Sequence, residues 1–189
     1  MRRAVKAVLC LLAAAWMIQP AAATTAVERT EAGMIRESAV IVTGRCTHLR
    51  SQWAGRTLVT LATISVSEVF KGRSERDLTV VLPGGVDLDR KIPIAMTVPA
   101  APEIFQQEEV LLFLAPENLV AGSYSIVGFS QGKLTVVDGP GGEKVATQDL
   151  SALHLQGRDG SLRRGSAKTI PLASLHRKVR EALAEGGRP

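Results

Sequence analysis

The chain has 189 residues, a formal net charge of +5 and an aromatic content of only 4%. This length fits a single domain with a sizeable hydrophobic core. The few aromatic side chains do not favour a surface that binds single-stranded nucleic acid by base stacking, so no nucleic-acid partner is expected.

The first 23 residues have the pattern of a secretory signal peptide. Three basic residues among the first six precede an apolar run at 7–18, and Ala21–Ala23 offers the small residues of a cleavage site. The apolar run is shorter than the roughly 20 residues that a membrane-spanning helix needs. We therefore predict that residues 1–23 are removed near Ala23 and that the protein is exported, to the periplasm or the extracellular medium.

Removal of the signal peptide leaves 20 basic residues, 18 acidic residues and a single cysteine, Cys46. A disulfide within the exported chain is therefore excluded. Strand-like alternation places Cys46 on the same face as Val40 and Val42, which favours a buried thiol. A disulfide between two chains is the alternative.

Residues 24–155 are predicted to form a β-barrel domain. Short β-favouring segments alternate with turns rich in glycine and proline, and they lie at 40–47, 57–70, 78–82, 92–98, 124–129, 133–137 and 143–147. Val110–Leu114 is apolar on both faces and predicts a fully buried central strand. The apolar face changes after Val66, which predicts a bulge near Ser67 and Glu68. The fold class that follows is mainly β, a small antiparallel OB-like barrel or sandwich of about 6–8 strands, with one C-terminal amphipathic helix.

The C-terminal part is predicted as a linker followed by a helix. Residues 156–168 are polar, basic and contain glycine, which predicts a flexible linker. Apolar residues then recur at helical spacing from Leu172 to Leu183, and Pro171 suits the first turn of a helix at 169–185. We expect this helix to pack on its own domain, with a membrane surface or a partner helix as alternatives.

The linker also carries four basic side chains that could contact phosphates or anionic lipid head groups, namely Arg158, Arg163, Arg164 and Lys168. In an exported protein, lipid or cell-wall polyanions are better candidates than nucleic acid. A merely solvated linker is the simpler interpretation.

Residues 128–132 match GxSxG, the nucleophile elbow of serine hydrolases, and Asp149 and His154 follow in the order Ser, Asp, His. That elbow requires a strand, a turn and then a helix. The residues after the motif, Lys133–Val137, instead predict a strand, so a hairpin turn is the favoured interpretation. A serine hydrolase that uses Ser130 is a weakly supported alternative.

Metal-ligating side chains do not form a recognisable motif. His48, His154 and His176 are far apart in the sequence and have none of the spacings of zinc sites. Cys46 and His48 are two residues apart on one predicted strand face, but two ligands do not make a site. We therefore predict no metal ligands.

Two pairs of acidic residues also do not predict a functional site. Asp87–Asp89 lacks the glycine and the terminal glutamate of a calcium loop, so we predict a solvated turn. Glu108 and Glu109 point to opposite faces of a strand, so they are predicted to charge the approach to Val110–Leu114 rather than to act as an acid–base pair. No catalytic residue, cofactor-binding residue or cofactor is predicted.

The order of the predicted elements resembles a recurring type of bacterial exported β-domain. The matching segments are Ser38–Arg45, Glu68–Gly72, Leu82–Gly85, Pro102–Phe105 and Glu108–Leu114. The first two are also similar to the OB-type barrel of netrin-like domains, which include the tissue inhibitors of metalloproteinases. Those inhibitors use many disulfides and an N-terminal cysteine, whereas this chain has Cys46 alone and a predicted start at Thr24. The resemblance therefore implies the fold and transfers no functional residue.

These observations together predict an exported, non-catalytic binding module for a protein or a cell-envelope polymer, either a monomer or a weak dimer. An accessory protein or inhibitor of a co-exported hydrolase is the first alternative. Contact with a membrane is expected only through the signal peptide or, weakly, through the basic linker.

Overall fold

The computed structural model describes residues 24–186, so the signal peptide predicted at residues 1–23 lies outside the described residues. The described part is mainly β, with thirteen strands and two α-helices. The strands are β1 (Thr24–Val27), β2 (Val40–Ala54), β3 (Thr57–Lys71), β4 (Asp77–Pro83), β5 (Gly85–Asp87), β6 (Ile94–Met96), β7 (Glu109–Glu117), β8 (Ser123–Ile126), β9 (Lys133–Asp138), β10 (Lys144–Asp149), β11 (Leu153–Gln156), β12 (Leu162–Arg164) and β13 (Ala167–Pro171). The helices are α1 (Glu31–Glu37) and α2 (Leu172–Gly186).

The strand number exceeds the predicted 6–8 because the connections carry short strands of their own. The main sheet has eight strands in the order β13-β10-β9-β7-β2-β3-β4-β8. A second sheet has the order β1-β11-β12, and β5 and β6 form a separate hairpin. Strands of three residues, such as β5, β6 and β12, are too short to leave a periodic signal in the sequence.

The main sheet partly closes on itself, because β8 pairs with two strands of this sheet. β8 pairs with β7 in antiparallel fashion, and it also pairs with β4 in parallel fashion through the single residue pair Val80 and Tyr124. One residue pair is a small contact, so the sheet is not a clear barrel. The space that these strands enclose is filled by buried side chains, among them Val42, Ile64 and Leu112.

The central strand is buried on both faces, as predicted. Every side chain of Val110–Leu114 is at most 1% exposed. Leu112 packs in the core that the strands enclose, together with Val110 and Leu114. Leu111 and Phe113 pack on the opposite face of the sheet, under α1 and α2. The apolar run therefore separates two layers of core, which is why it lacks polar alternation.

Bulges decide which side chains of β2 and β3 face inward. The pairing passes from Thr43 with Glu68 to Gly44 with Val66, which leaves Ser67 unpaired and confirms the predicted bulge. A second shift leaves Thr47 unpaired on β2. Beyond this bulge His48 is exposed, so the prediction that it shares a face with buried Cys46 is wrong.

Cys46 is a free and fully buried thiol, as the alternation predicted. Its sulfur lies 3.6 Å from the His48 carbonyl oxygen, and burial raises the pKa of the thiol. A thiol without exposed surface cannot meet the cysteine of a second folded chain.

The C-terminal segment differs in part from the prediction. Within residues 156–168, predicted as a flexible linker, Leu162–Arg164 pairs with β11, and Ala167 and Lys168 begin the strand β13 that pairs with β10. α2 then begins at Leu172 and packs on the domain through two side chains that are at most 2% exposed, Leu175 and Val179. No helix among residues 24–186 is both long and apolar enough to cross a membrane.

Candidate functional site

A groove of about 640 Å³ runs along β9, β10 and β13, and residues 100–105 form its opposite wall. It brings together Ser130 of the GxSxG motif and Asp149, two of the three residues that the sequence placed in the order of a catalytic triad. The groove is therefore the place to test the hydrolase alternative.

Ser130 lies in a 3₁₀ helix, Phe129–Gly132, that joins β8 to β9. Gly128 before it has a φ of 72°, a backbone conformation that glycine adopts without strain. The Ser130 hydroxyl donates a hydrogen bond to the carbonyl of Ala100 and so holds the opposite wall of the groove. A strand follows the motif, as predicted, and no helix follows as a nucleophile elbow would require.

The predicted hairpin around the motif is nevertheless wrong. β8 and β9 do not pair with each other, because both pair with the same edge of β7, one after the other along its length. The 3₁₀ helix thus connects two strands that pair with successive parts of the same edge of β7.

Neither of the other two triad candidates is hydrogen-bonded to Ser130. Asp149 accepts a hydrogen bond of 2.8 Å from the Ser151 N–H, and this bond holds the pKa of its carboxyl below the usual value. His154 lies on β11 in the second sheet, and its buried Nδ1 has no partner among the described residues. No histidine of residues 24–186 is hydrogen-bonded to Ser130, so this groove lacks the base that activates a serine nucleophile.

The polar network beside the groove centres on Glu108. Its Oε1 accepts hydrogen bonds from Lys133 Nζ and from the Thr135 hydroxyl, each at 2.6 Å, and its Oε2 accepts one from the Phe105 N–H at 2.9 Å. The Glu108 and Lys133 side chains are only 10% and 15% exposed. Burial raises the pKa of the Glu108 carboxyl, but the three hydrogen bonds and the Lys133 charge outweigh burial and lower it overall. The carboxylate stays charged and is used to hold β9 to residues 105–108.

Gln148 is a second organising residue, which the sequence analysis missed. Its side chain is 8% exposed, and Nε2 lies 2.7–2.9 Å from the carbonyl oxygens of Ser130, Gln131 and Lys133. It thereby ties the 3₁₀ helix to β10. A single glutamine in a strand has no sequence signature, so only the tertiary structure reveals this role.

The remaining candidates do not form a metal site. No group of three potential ligands occurs among residues 24–186. Glu109 pairs with Arg45 and Lys144, separately from the Glu108 network. Two of the four basic side chains of the predicted linker bind within the protein, since Arg163 pairs with Glu28 and Arg164 donates to the Ser151 carbonyl.

Asp87, predicted to lie in a solvated turn, instead joins the β5–β6 hairpin to the end of the β2–β3 hairpin. Its Oδ2 accepts hydrogen bonds from Trp53 Nε1 at 2.6 Å and from Arg90 Nε at 2.9 Å. The Arg90 guanidinium also lies 4.9 Å from the centre of the Trp53 ring, a cation–π contact. The bond from Trp53 contributes most to lowering the pKa of the Asp87 carboxyl. These contacts fix the β5–β6 hairpin against the end of β2.

Replacement of Ser130 by alanine tests the structural role of its hydroxyl. We expect Ser130→Ala to reduce the free energy of unfolding by about 1 kcal/mol, because one hydrogen bond between the walls of the groove is lost. Urea denaturation measures this effect, and a panel of esters measures hydrolysis, with exposed Ser161→Ala as the control. A loss of ester hydrolysis in Ser130→Ala but not in Ser161→Ala would contradict the structural role.

Two features of the structure differ in their chemistry. One is the groove, whose polar groups are hydrogen-bonded to one another, and the other is the β5–β6 hairpin beside Trp53. The groove holds no activated nucleophile among the described residues. The hairpin carries exposed apolar side chains on a fixed support. In comparisons with known proteins, no family model, no curated protein and no solved structure matches this chain.

Proposed function

We propose that the protein is an exported, non-catalytic binding module that binds another exported protein through the β5–β6 hairpin. The observation that carries this proposal is the exposure of apolar side chains on the connection between β4 and β7. Ile92 and Leu88 are 77% and 71% exposed, Phe105 is 62% exposed and Val86 is 49% exposed. Several large apolar side chains exposed on one connection are a feature of interaction sites.

The support beneath these side chains is rigid. Trp53, Asp87 and Arg90 are locked together by two hydrogen bonds and a cation–π contact. The Val86 N–H donates to the Ser51 hydroxyl at 3.1 Å, which ties β5 to β2. A surface that is already ordered loses less conformational entropy on binding. Tryptophan and arginine are also the residue types that contribute most at protein interfaces.

The proposal includes an OB-type barrel as the fold. Its support is the order of the pairings, in which β2, β3, β4, β8 and β7 follow one another and β7 pairs again with β2. The loops between strands one and two and between strands four and five of an OB-fold commonly form its binding surface. The first of these corresponds to the β2–β3 hairpin, which carries Trp53 next to the β5–β6 hairpin.

A protein partner fits this surface better than an envelope polysaccharide. Val86, Leu88 and Ile92 are aliphatic and offer no hydrogen bonds from their side chains, whereas a sugar polymer presents many hydroxyl groups. A partner with an apolar surface of its own would bury them. The identity of that partner decides whether the protein acts as an accessory or an inhibitor of a co-exported hydrolase.

The double variant Leu88→Ser with Ile92→Ser tests the proposal. Both side chains are exposed, so we expect a change in unfolding free energy of less than about 0.5 kcal/mol. In a crosslinking pull-down from the exported fraction of the producing cells, we expect capture of one stoichiometric partner to fall at least tenfold, a loss of about 1.4 kcal/mol or more. The control is Leu162→Ser, which removes a side chain of 61% exposure from β12.

Two outcomes would overturn the proposal. Equal capture by the wild type and the double variant would show that the hairpin is not the interface. Self-association in sedimentation experiments that is abolished by the double variant, with no other protein captured, would assign the surface to a second copy of this chain.

A further inference from the structure

The main sheet has an open edge at β13. At the other end of the sheet, β8 pairs with both β7 and β4, so that end is partly closed. β13 pairs with β10 and with no other strand of residues 24–186. Three of its residues, Ala167, Thr169 and Pro171, are exposed. An exposed strand edge presents backbone groups with which a further strand can pair.

One hydrogen bond determines which backbone groups of β13 point outward. The Leu150 N–H donates to the Ser166 carbonyl at 3.3 Å, directly beyond the paired residues of β10 and β13. Hydrogen-bonded and non-hydrogen-bonded residue pairs alternate along an antiparallel ladder. Ala167, Thr169 and Pro171 therefore direct their backbone groups away from β10. Pro171 agrees with this assignment, because proline has no N–H that it could donate to β10.

The groove of about 640 Å³ lies beside this edge. Ala167 and Thr169 line it, together with apolar side chains such as Leu153. Successive side chains of a strand point to opposite faces, so every second side chain of a strand added to β13 would enter the groove. The volume lies within the range of about 300–1,000 Å³ that is typical of ligand pockets.

The charges along the groove favour a basic side chain. Glu103 on one wall and Asp149 on β10 are exposed, and neither forms an ion pair within residues 24–186. The cations that line or adjoin the groove already have acceptors or acidic neighbours, namely Lys133 with Glu108, Lys168 with Glu31 and Arg164 with the Ser151 carbonyl. The two carboxylates are thus complementary to a cation carried by a ligand.

We propose that β13 binds an extended peptide segment of another protein, which adds to the main sheet as a further strand and places a lysine or arginine side chain in the groove. Backbone hydrogen bonds supply affinity in this mode, and the pockets for alternate side chains supply specificity. The segment pairs with at most the five residues of β13, because Pro171 ends the strand and α2 follows. This contact uses no residue of the β5–β6 hairpin, so it is tested independently of the function proposed above.

Selection of displayed random seven-residue peptides on the purified protein tests the ligand class. We expect the enriched peptides to carry lysine or arginine and to lack proline at their centre. Methylation of every second amide nitrogen should lower the affinity of a resynthesised peptide about tenfold or more for one set of amides, and hardly at all for the other set, because only one side of the peptide faces β13. The absence of any enriched peptide, enrichment without a basic residue, or equal effects of the two sets would overturn the proposal.

Thr169→Pro tests the edge itself. Proline removes the outward N–H of this residue and takes no hydrogen bond from the pairing with β10, so the fold should be retained. We expect the affinity for the selected peptide to fall about tenfold, whereas Thr169→Val, which keeps the N–H, should change it less than about threefold. Equal affinities of Thr169→Pro and the wild type would contradict the proposal. The methylated peptides give the same test without a change to the protein.

Glu103→Gln tests the charge complementarity. We expect this variant to bind the basic peptide about threefold more weakly and with a smaller dependence on salt. The control is Glu75→Gln, which removes an exposed carboxylate between β3 and β4. Equal affinities of the two variants would contradict a role of Glu103.

Two further measurements separate this site from other interfaces. The double variant Leu88→Ser with Ile92→Ser should bind the selected peptide as the wild type does, and a loss of binding would move the peptide site to the hairpin. Self-association in sedimentation experiments that Thr169→Pro abolishes would assign the edge to a second copy of this chain. Either of these results would overturn the proposal.

Discussion

Glu108→Gln is expected to lower the free energy of unfolding by about 3 kcal/mol at pH 7, because it leaves Lys133 without its counterion. The Lys133 side chain is 15% exposed, and its ammonium group lies 2.6 Å from the Glu108 carboxylate. The amide of glutamine cannot accept from Lys133 and Thr135 with the strength of a carboxylate. Urea denaturation of the two proteins at pH 7 measures the difference.

The same pair of proteins should also differ in their response to acid. The folded state lowers the pKa of Glu108, so the folded protein binds fewer protons than the unfolded chain. The stabilisation is complete above the ordinary glutamate pKa, about 4.3, and it is lost as the pH falls through the lower pKa of the folded state. The gap in stability between the wild type and Glu108→Gln should therefore narrow below about pH 4.5.

Glu109→Gln is the matched control, because Glu109 pairs with Arg45 and Lys144, whose side chains are 50% and 44% exposed. Exposed ion pairs contribute little, so we expect a loss of less than about 1 kcal/mol. Equal losses for Glu108→Gln and Glu109→Gln, or a gap that does not change with pH, would refute the assignment of Glu108 as the organising carboxylate.

Gly132→Ala is expected to destabilise the protein by about 3 kcal/mol, because a methyl group at this position overlaps backbone atoms. A Cβ on Gly132 would overlap the carbonyl oxygen of Val127 and would lie 3.0 Å from the side chain of Ile126. The last glycine of the GxSxG pattern is therefore required for packing of the 3₁₀ helix against the end of β8. Thermal and urea denaturation give the size of the loss.

Gly122→Ala is the control for the backbone contribution of a glycine. Gly122 has a φ of 73° and open space around its Cα, so the substitution should cost about 1 kcal/mol through strain alone. If Gly132→Ala is no more destabilising than Gly122→Ala, the steric explanation of the motif is wrong.

The features that depend on local periodicity were predictable from the amino-acid sequence. Alternation identified the buried thiol of Cys46 and the bulge at Ser67, and a continuous apolar run identified the central strand Val110–Leu114. Helical spacing placed the C-terminal helix to within three residues of its start at Leu172. These predictions succeed because the side-chain direction along a strand or helix follows from the backbone geometry of that element alone.

One short helix was missed although it has a local signal. α1 begins after Thr30, whose hydroxyl accepts from the Gly33 N–H at 3.1 Å, and Thr30 followed by Glu31 is a helix start pattern. The helix has seven residues, too few for its apolar positions to form a periodic pattern. Its burial against α2 and β7 stabilises it, and that burial is a tertiary property.

The pairing of the strands and the contacts between polar groups could not be predicted from the sequence. β8 and β9 are adjacent in sequence but pair with β7 rather than with each other, and Leu162–Arg164 becomes a strand because β11 is beside it. The backbone groups of a short strand are satisfied by partners distant in sequence, so its own residues do not specify it. The same reason applies to the polar side chains. Glu108 meets Lys133, and Gln148 lies opposite Lys168, because strand register brings together residues that no local pattern links.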